Sequence, residues 1–163
     1  MVKILSYGDG KHRIENDHDG RIGWINGATI GFRGFATESD AREAAIAGRR
    51  ALDRALRGHF PGWPGADVAL ERVHIVNDGA YDWFYDGKIA VARLLRPHRR
   101  AYDASFGIEL VLPSFSNEGV AIAAAYAVSI AVEPYRDVMP ALDDHVREER
   151  AVPAGELDTS TFY

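Results

Sequence analysis

Arg21-Ile22-Gly23-Trp24-Ile25, then Asn26-Gly27, then Ala28 through Phe35 is the stretch that decides the architecture. Two β-prone runs flank an Asn-Gly pair, and Asn-Gly favours a tight hairpin because a type I′ turn needs φ > 0 at both central positions. The same punctuation recurs at Asp9-Gly10, Asp19-Gly20, Asp78-Gly79 and Asp86-Gly87, each between stretches that favour strands. Tyr81-Asp82-Trp83-Phe84-Tyr85, Asp86-Gly87 and Lys88 through Leu95 form a second hairpin of the same kind. The chain therefore reads as antiparallel β-structure built from short connections.

A helix follows the first set of strands. Thr37 with Asp40 three residues on resembles a capping box, and Gly58 marks the end. Ala41, Ala45, Gly48, Leu52 and Leu56 recur at spacings of three and four and build one apolar stripe. Glu38, Arg42, Glu43, Arg49, Arg50, Asp53 and Arg57 form the polar side opposite. Residues 59–67 hold two prolines and two glycines and read as a linker. The plan then repeats, with strands expected over 69–76, 81–85, 88–95 and 105–112 and a helix over 118–132. The expected fold is α+β in a single domain, 1–163. Two strand-rich halves, 1–58 and 68–133, each form an antiparallel three- or four-stranded meander followed by a helix. Both helices pack on one sheet face, and 134–163 is a C-terminal segment. Similar helix entries, Phe35-Ala36-Thr37-Glu38 and Phe115-Ser116-Asn117-Glu118, point to an internal duplication.

Composition bounds the function. The 163 residues are 47% apolar and 26% charged, as in ordinary globular proteins. The absence of cysteine removes disulfides, thiolate nucleophiles and cysteine-ligated metals, and favours a cytoplasmic home. The formal charge of -5 disfavours coating nucleic acid by bulk electrostatics. The longest apolar run, Gly119 through Val132, falls short of the roughly 20 residues that span a bilayer, so no membrane partner is expected. Between Glu118 and Glu133 the second helix has no charge on any side. Such a helix is covered all round, which makes 118–132 the expected homo-oligomer contact.

Few residues stand out for chemistry. Asp17, His18 and Asp19 sit at a turn that resembles the front of a calcium loop, but Asn26 stands where a bidentate carboxylate would close it. His145 with Glu149 and Asp144 with Glu148 share helical faces without further ligands. There is no Gly-x-Ser-x-Gly elbow, phosphate loop or His-Glu-x-x-His, so no catalytic residue and no cofactor is assigned. The one basic cluster, Arg93, Arg96, Arg99 and Arg100, adjoins Tyr81, Trp83 and Tyr85, which alternation puts on one sheet face. Those aromatics are either core beneath a helix, the reading that large rings favour, or a stacking platform for single-stranded nucleic acid.

In order of elements alone, the paired strand–strand–strand–strand–helix units resemble the PUR and Whirly single-stranded nucleic-acid-binding folds. That resemblance implies association through the helices and binding on the sheet. The sequence points first to a non-catalytic oligomeric binding or scaffold protein, its ligand unknown. The second reading is a single-stranded nucleic-acid binder using the aromatic and arginine face. The third is a metal-dependent hydrolase using Asp17, His18 and Asp19.

Overall fold

The computed structural model describes residues 1–98 and 104–136. Four strands lead into a helix, twice over. The first set is β1 (Val2–Ser6), β2 (Lys11–Asn16), β3 (Gly20–Asn26), β4 (Thr29–Phe35) and α1 (Glu38–His59). The second is β5 (Val73–Asn77), β6 (Asp82–Asp86), β7 (Ile89–Leu95), β8 (Phe106–Val111) and α2 (Glu118–Val132). All eight strands join one antiparallel sheet in the order β1-β2-β3-β4-β8-β7-β6-β5. The halves meet where β4 pairs with β8, with Thr29 opposite Val111 and Gly31 opposite Glu109. This is an α+β fold, and each half supplies a meander and then a helix.

Alternation sorts the strand residues cleanly. The row Ile14, Gly23, Phe32, Ile108 and Leu94 runs from β2 to β7 through direct cross-strand pairs. Its large members are buried in one core with Leu52 of α1 and Val128 of α2. Both helices pack on this face and on each other. The stripe expected on α1 is the buried one, and Gly48 marks the closest approach. A Cβ there would lie 3.2 Å from Val132 and 3.3 Å from Leu110 and Val128. The helices are largely exchanged relative to their strands: α1, which follows β4, lies mainly over β7 and β8 with a smaller contact to β4, and α2 touches β1, β3 and β4.

Several local expectations are corrected. Gly8-Asp9-Gly10-Lys11 does form a turn with φ > 0 at both central residues, Asp9 at 54° and Gly10 at 74°. The two main hairpins do not. Asn26 pairs with Thr29, so the loop is Gly27-Ala28, and only Gly27 has positive φ. Asp86 likewise pairs with Ile89 around Gly87-Lys88, with φ positive at Gly87 alone. Glycine at the first central position is the type II′ pattern; the Asn and Asp are the last residues of their strands. Residues 70–72 form a 3-10 turn instead of strand. The buried Asp86 carboxylate takes the Ala69 N–H at 2.9 Å and both arms of Arg72, at 2.9 and 3.0 Å, which bends the chain there.

At α1, Thr37 Oγ1 accepts the Asp40 N–H at 3.0 Å as expected. Gly58 does not end the helix, which runs to His59 before Phe60 returns its N–H to Leu56 at 2.7 Å. Asp53, placed on the polar side by its spacing, is buried. Its carboxylate accepts the Trp63 indole N–H at 3.1 Å and the Ala66 N–H at 2.9 Å. Arg50 reaches the Val68 carbonyl at 2.9 Å. The linker is thus pinned along the helix that precedes it.

Candidate functional site

The sheet face turned away from the helices carries one continuous row across all eight strands. Leu5, Arg13, Trp24, Gly31, Glu109, Arg93, Trp83 and Val76 are successive cross-strand partners. Glu109 is its hub. One carboxylate oxygen accepts the Trp24 indole N–H at 3.1 Å, and the other lies 3.2 Å from the Arg93 guanidinium. Arg93 in turn sits 4.1 Å over the Tyr81 ring, a cation–π distance. Trp83 donates its indole N–H to Asp78 at 3.0 Å. Asp78 also takes the backbone N–H groups of Tyr81 and Ala80, and these donors hold its carboxyl below the ordinary aspartate range.

The aromatic residues divide between the two faces. Phe84 is fully buried under the helices, whereas Trp83 and Tyr85 alternate to the other side and stay partly exposed. The core expected from three aromatics is therefore supplied by the residue between them, because β6 turns Phe84 inward. Tyr81, just before β6, is half exposed. The arginines divide too. Arg93 belongs to the far face, but Arg96 turns to the helix side, where it meets Asp82 at 2.6 Å and Glu38 of α1 at 3.2 Å. Asn77 first and Arg96 second hold the Asp82 carboxyl low. Arg99 and Arg100 lie outside the described residues, as do His145, Glu149, Asp144 and Glu148. No family model, curated protein or solved structure matches this chain. The resemblance to the PUR and Whirly folds rests on the order of elements alone.

Asp17, His18 and Asp19 form the β2–β3 turn, but the two carboxylates have separate commitments. Asn16 Oδ1 accepts the backbone N–H of His18 at 3.2 Å and of Asp19 at 2.6 Å. Asp17 faces the N-terminal ammonium at 3.2 Å. Asp19 is bound at 2.8 Å by Arg136. Burial pushes the Asp19 carboxyl up, but Arg136 and Asn16 outweigh it and the net shift is downward. Among the described residues no three histidine, aspartate or glutamate side chains converge as metal ligands. No described helix is long and apolar enough to cross a membrane.

Arg136 and Glu109 escape a reading of the sequence for different reasons. Arg136 ties the end of α2 to the sheet, donating to the Arg33 carbonyl at 2.9 Å beside Gly34. Its position after a proline gives no local sign of burial. Glu109 stands between Ile108 and Leu110. A lone acid in an apolar strand is a visible signal, but its partners on β3 and β7 follow only from the register.

Proposed function

We propose that this chain is a non-catalytic, homo-oligomeric binding or scaffold protein that self-associates through the outward side of α2. The observation that carries this reading is an uncharged stripe on that side. Ile122 and Ala123 are half-buried, Tyr126 is 40% exposed and Ile130 is 72% exposed. The sheet and α1 take the other sides of the helix. Leaving isoleucine and tyrosine in water forgoes about 25 cal/mol for each Å² of apolar area. Ala123 beside Tyr126 leaves room for a second helix to approach, and a twofold contact would bury the same stripe on both copies.

Light scattering on the eluting full-length chain tests this. The expected mass is at least twice the 18.0 kDa of one chain. Ile130→Asp should return it to one chain with an unchanged circular dichroism spectrum. A wild-type protein that elutes as one chain at every concentration defeats the reading.

A second reading has its own observation: Tyr81, Trp83 and Tyr85 lie together on the far face beside Arg93. Such a surface stacks unpaired bases. It ranks below self-association because Glu109 already neutralises Arg93 and Arg96 faces the helices. Saturable quenching of tryptophan emission by mixed-sequence single-stranded oligonucleotides, weakening as salt rises, would reverse that order.

A further inference from the structure

A cleft of about 260 Å³ opens where the N-terminus of α2 overhangs the β3–β4 hairpin; its lining includes His12, Ile25, Leu112, Ser116, Glu118 and Ala121. His12 lies on the helix side of β2, in the row His12, Ile25, Ile30 and Leu110. An imidazole thus stands in an otherwise apolar row. Its side chain is only 3% exposed, yet neither ring nitrogen has a hydrogen-bond partner. Glu118 Oε2 approaches Nε2 to 3.3 Å without the alignment of a hydrogen bond. The buried Ser116 hydroxyl on the same cleft is also unpartnered. Buried polar groups are paired in the great majority of cases, so two orphans on one cleft call for a partner.

The helix end supplies further donors. Asn117 Oδ1 accepts the Val120 N–H at 2.9 Å, and the Asn117 carbonyl accepts that of Ala121 at 3.0 Å. The Glu118 and Gly119 N–H groups have no acceptor within the helix, Glu118 itself lines the cleft, and the dipole at this end favours a negative charge.

We propose that this cleft binds a small organic carboxylate with an apolar body. The carboxylate accepts from the Ser116 hydroxyl, the His12 ring and the first turn of α2, while Ile25, Leu112 and Ala121 face the body. Glu118 is the counter-argument and also the clue. Its carboxylate already lies against His12, which marks the place a carboxylate takes. Its side chain is 62% exposed, so it can swing into solvent and yield that place. Removing its charge should therefore strengthen binding, the opposite of what a cationic ligand would produce.

The test titrates the full-length protein with hexanoate and benzoate, following the backbone amide signals of Glu118 and Gly119 by NMR. Hexanamide and benzamide serve as uncharged controls, and inorganic phosphate as an anion without an apolar body. The acids should shift both signals saturably, with the amides and phosphate much weaker. Ser116→Ala should weaken benzoate binding about threefold and Glu118→Gln tighten it about threefold, the scale of one hydrogen bond or one removed repulsion. Both positions tolerate the change: Glu118 is mostly solvated, and the Ser116 hydroxyl has no partner to lose. Amides binding as well as the acids, phosphate binding as well as benzoate, no saturation, or weaker binding in Glu118→Gln would each overturn the proposal. Ile130→Asp, on the other side of α2, should leave the titration unchanged, so self-association and ligand binding can fail separately.

Discussion

Gly31 is where the far face depends most on a missing side chain. It pairs with Trp24 on one side and Glu109 on the other, and the Trp24 indole lies directly across it. A Cβ at Gly31 would overlap the indole carbons, so Gly31→Ala must push the ring aside. That displacement breaks the 3.1 Å bond to Glu109 and leaves the carboxylate with Arg93 alone. In a strand interior, exchanging glycine for alanine ordinarily helps by roughly 0.5–1 kcal/mol; overpacking here costs about 1–3 kcal/mol. The expected outcome is net destabilisation, read as a lower urea midpoint together with shifted tryptophan emission. An unchanged or raised midpoint would show that the indole moves freely, contrary to its burial. Nothing in Gly31 itself announces this role. Its neighbours Ile30 and Phe32 identify a strand, but the requirement for glycine comes from a tryptophan on the next strand, and only the register supplies that.

Among the elements, strands and helices are legible because each carries its own period. Thr37 caps α1 as its spacing to Asp40 predicts, and Asn117, at the matching place in the second helix entry, caps α2. What local pattern cannot supply is whatever a distant group decides. Asp53 falls on the polar side of α1 by spacing, yet the returning linker buries it. The 3-10 turn at 70–72 is held by Asp86, which grips Arg72 and Ala69 from β6, the strand that pairs with β5. The candidate sites are legible to a similar depth: alternation puts Trp83 and Tyr85 on one face and Arg93 and Arg96, three residues apart, on opposite ones, but the carboxylates that each arginine meets follow only from the register and the helix packing. The linker gives the element-scale prediction. Asp53→Ala strips the acceptor from Trp63 and Ala66 and should cost about 2–3 kcal/mol. Asp53→Asn, which keeps a carbonyl oxygen for one donor, should cost less. Urea titrations of both variants check this, and equal midpoints for wild type and Asp53→Ala would show that the linker holds without its anchor.

For the molecule as a whole, acid and cooperativity are the informative variables. Asp86, Asp82, Asp78 and Asp19 all have carboxyl groups held below the ordinary range in the fold. Arg72 and the Ala69 N–H lower Asp86, and Arg136 with Asn16 outweighs burial at Asp19. A carboxyl whose folded pKa is depressed binds fewer protons folded than unfolded, so stability rises with pH across that interval. The contribution is fully present above the unfolded value of about 3.9 and is lost as pH falls through the folded value. The urea midpoint should therefore drop steeply below about pH 4, and Asp86→Asn should shallow that drop; an acid limb identical to wild type would remove Asp86 from the account. Cooperativity follows from the exchanged helices. Because α1 lies mainly over β7 and β8, with only a smaller contact to β4, while α2 touches β1, β3 and β4, each half buries most of its helix stripe on the other half's strands. Leu52 and Leu56 need the second set of strands beneath them, and β4 needs β8 to complete its ladder. A chain built this way should unfold in one step. Urea curves from far-ultraviolet circular dichroism, which reports the helices, and from tryptophan emission should then superimpose, and a fragment of residues 1–67 should stay unfolded in buffer. Separated transitions, or a folded fragment, would mean that one half carries a core of its own and that the pairing of β4 with β8 is a docking contact between two preformed units.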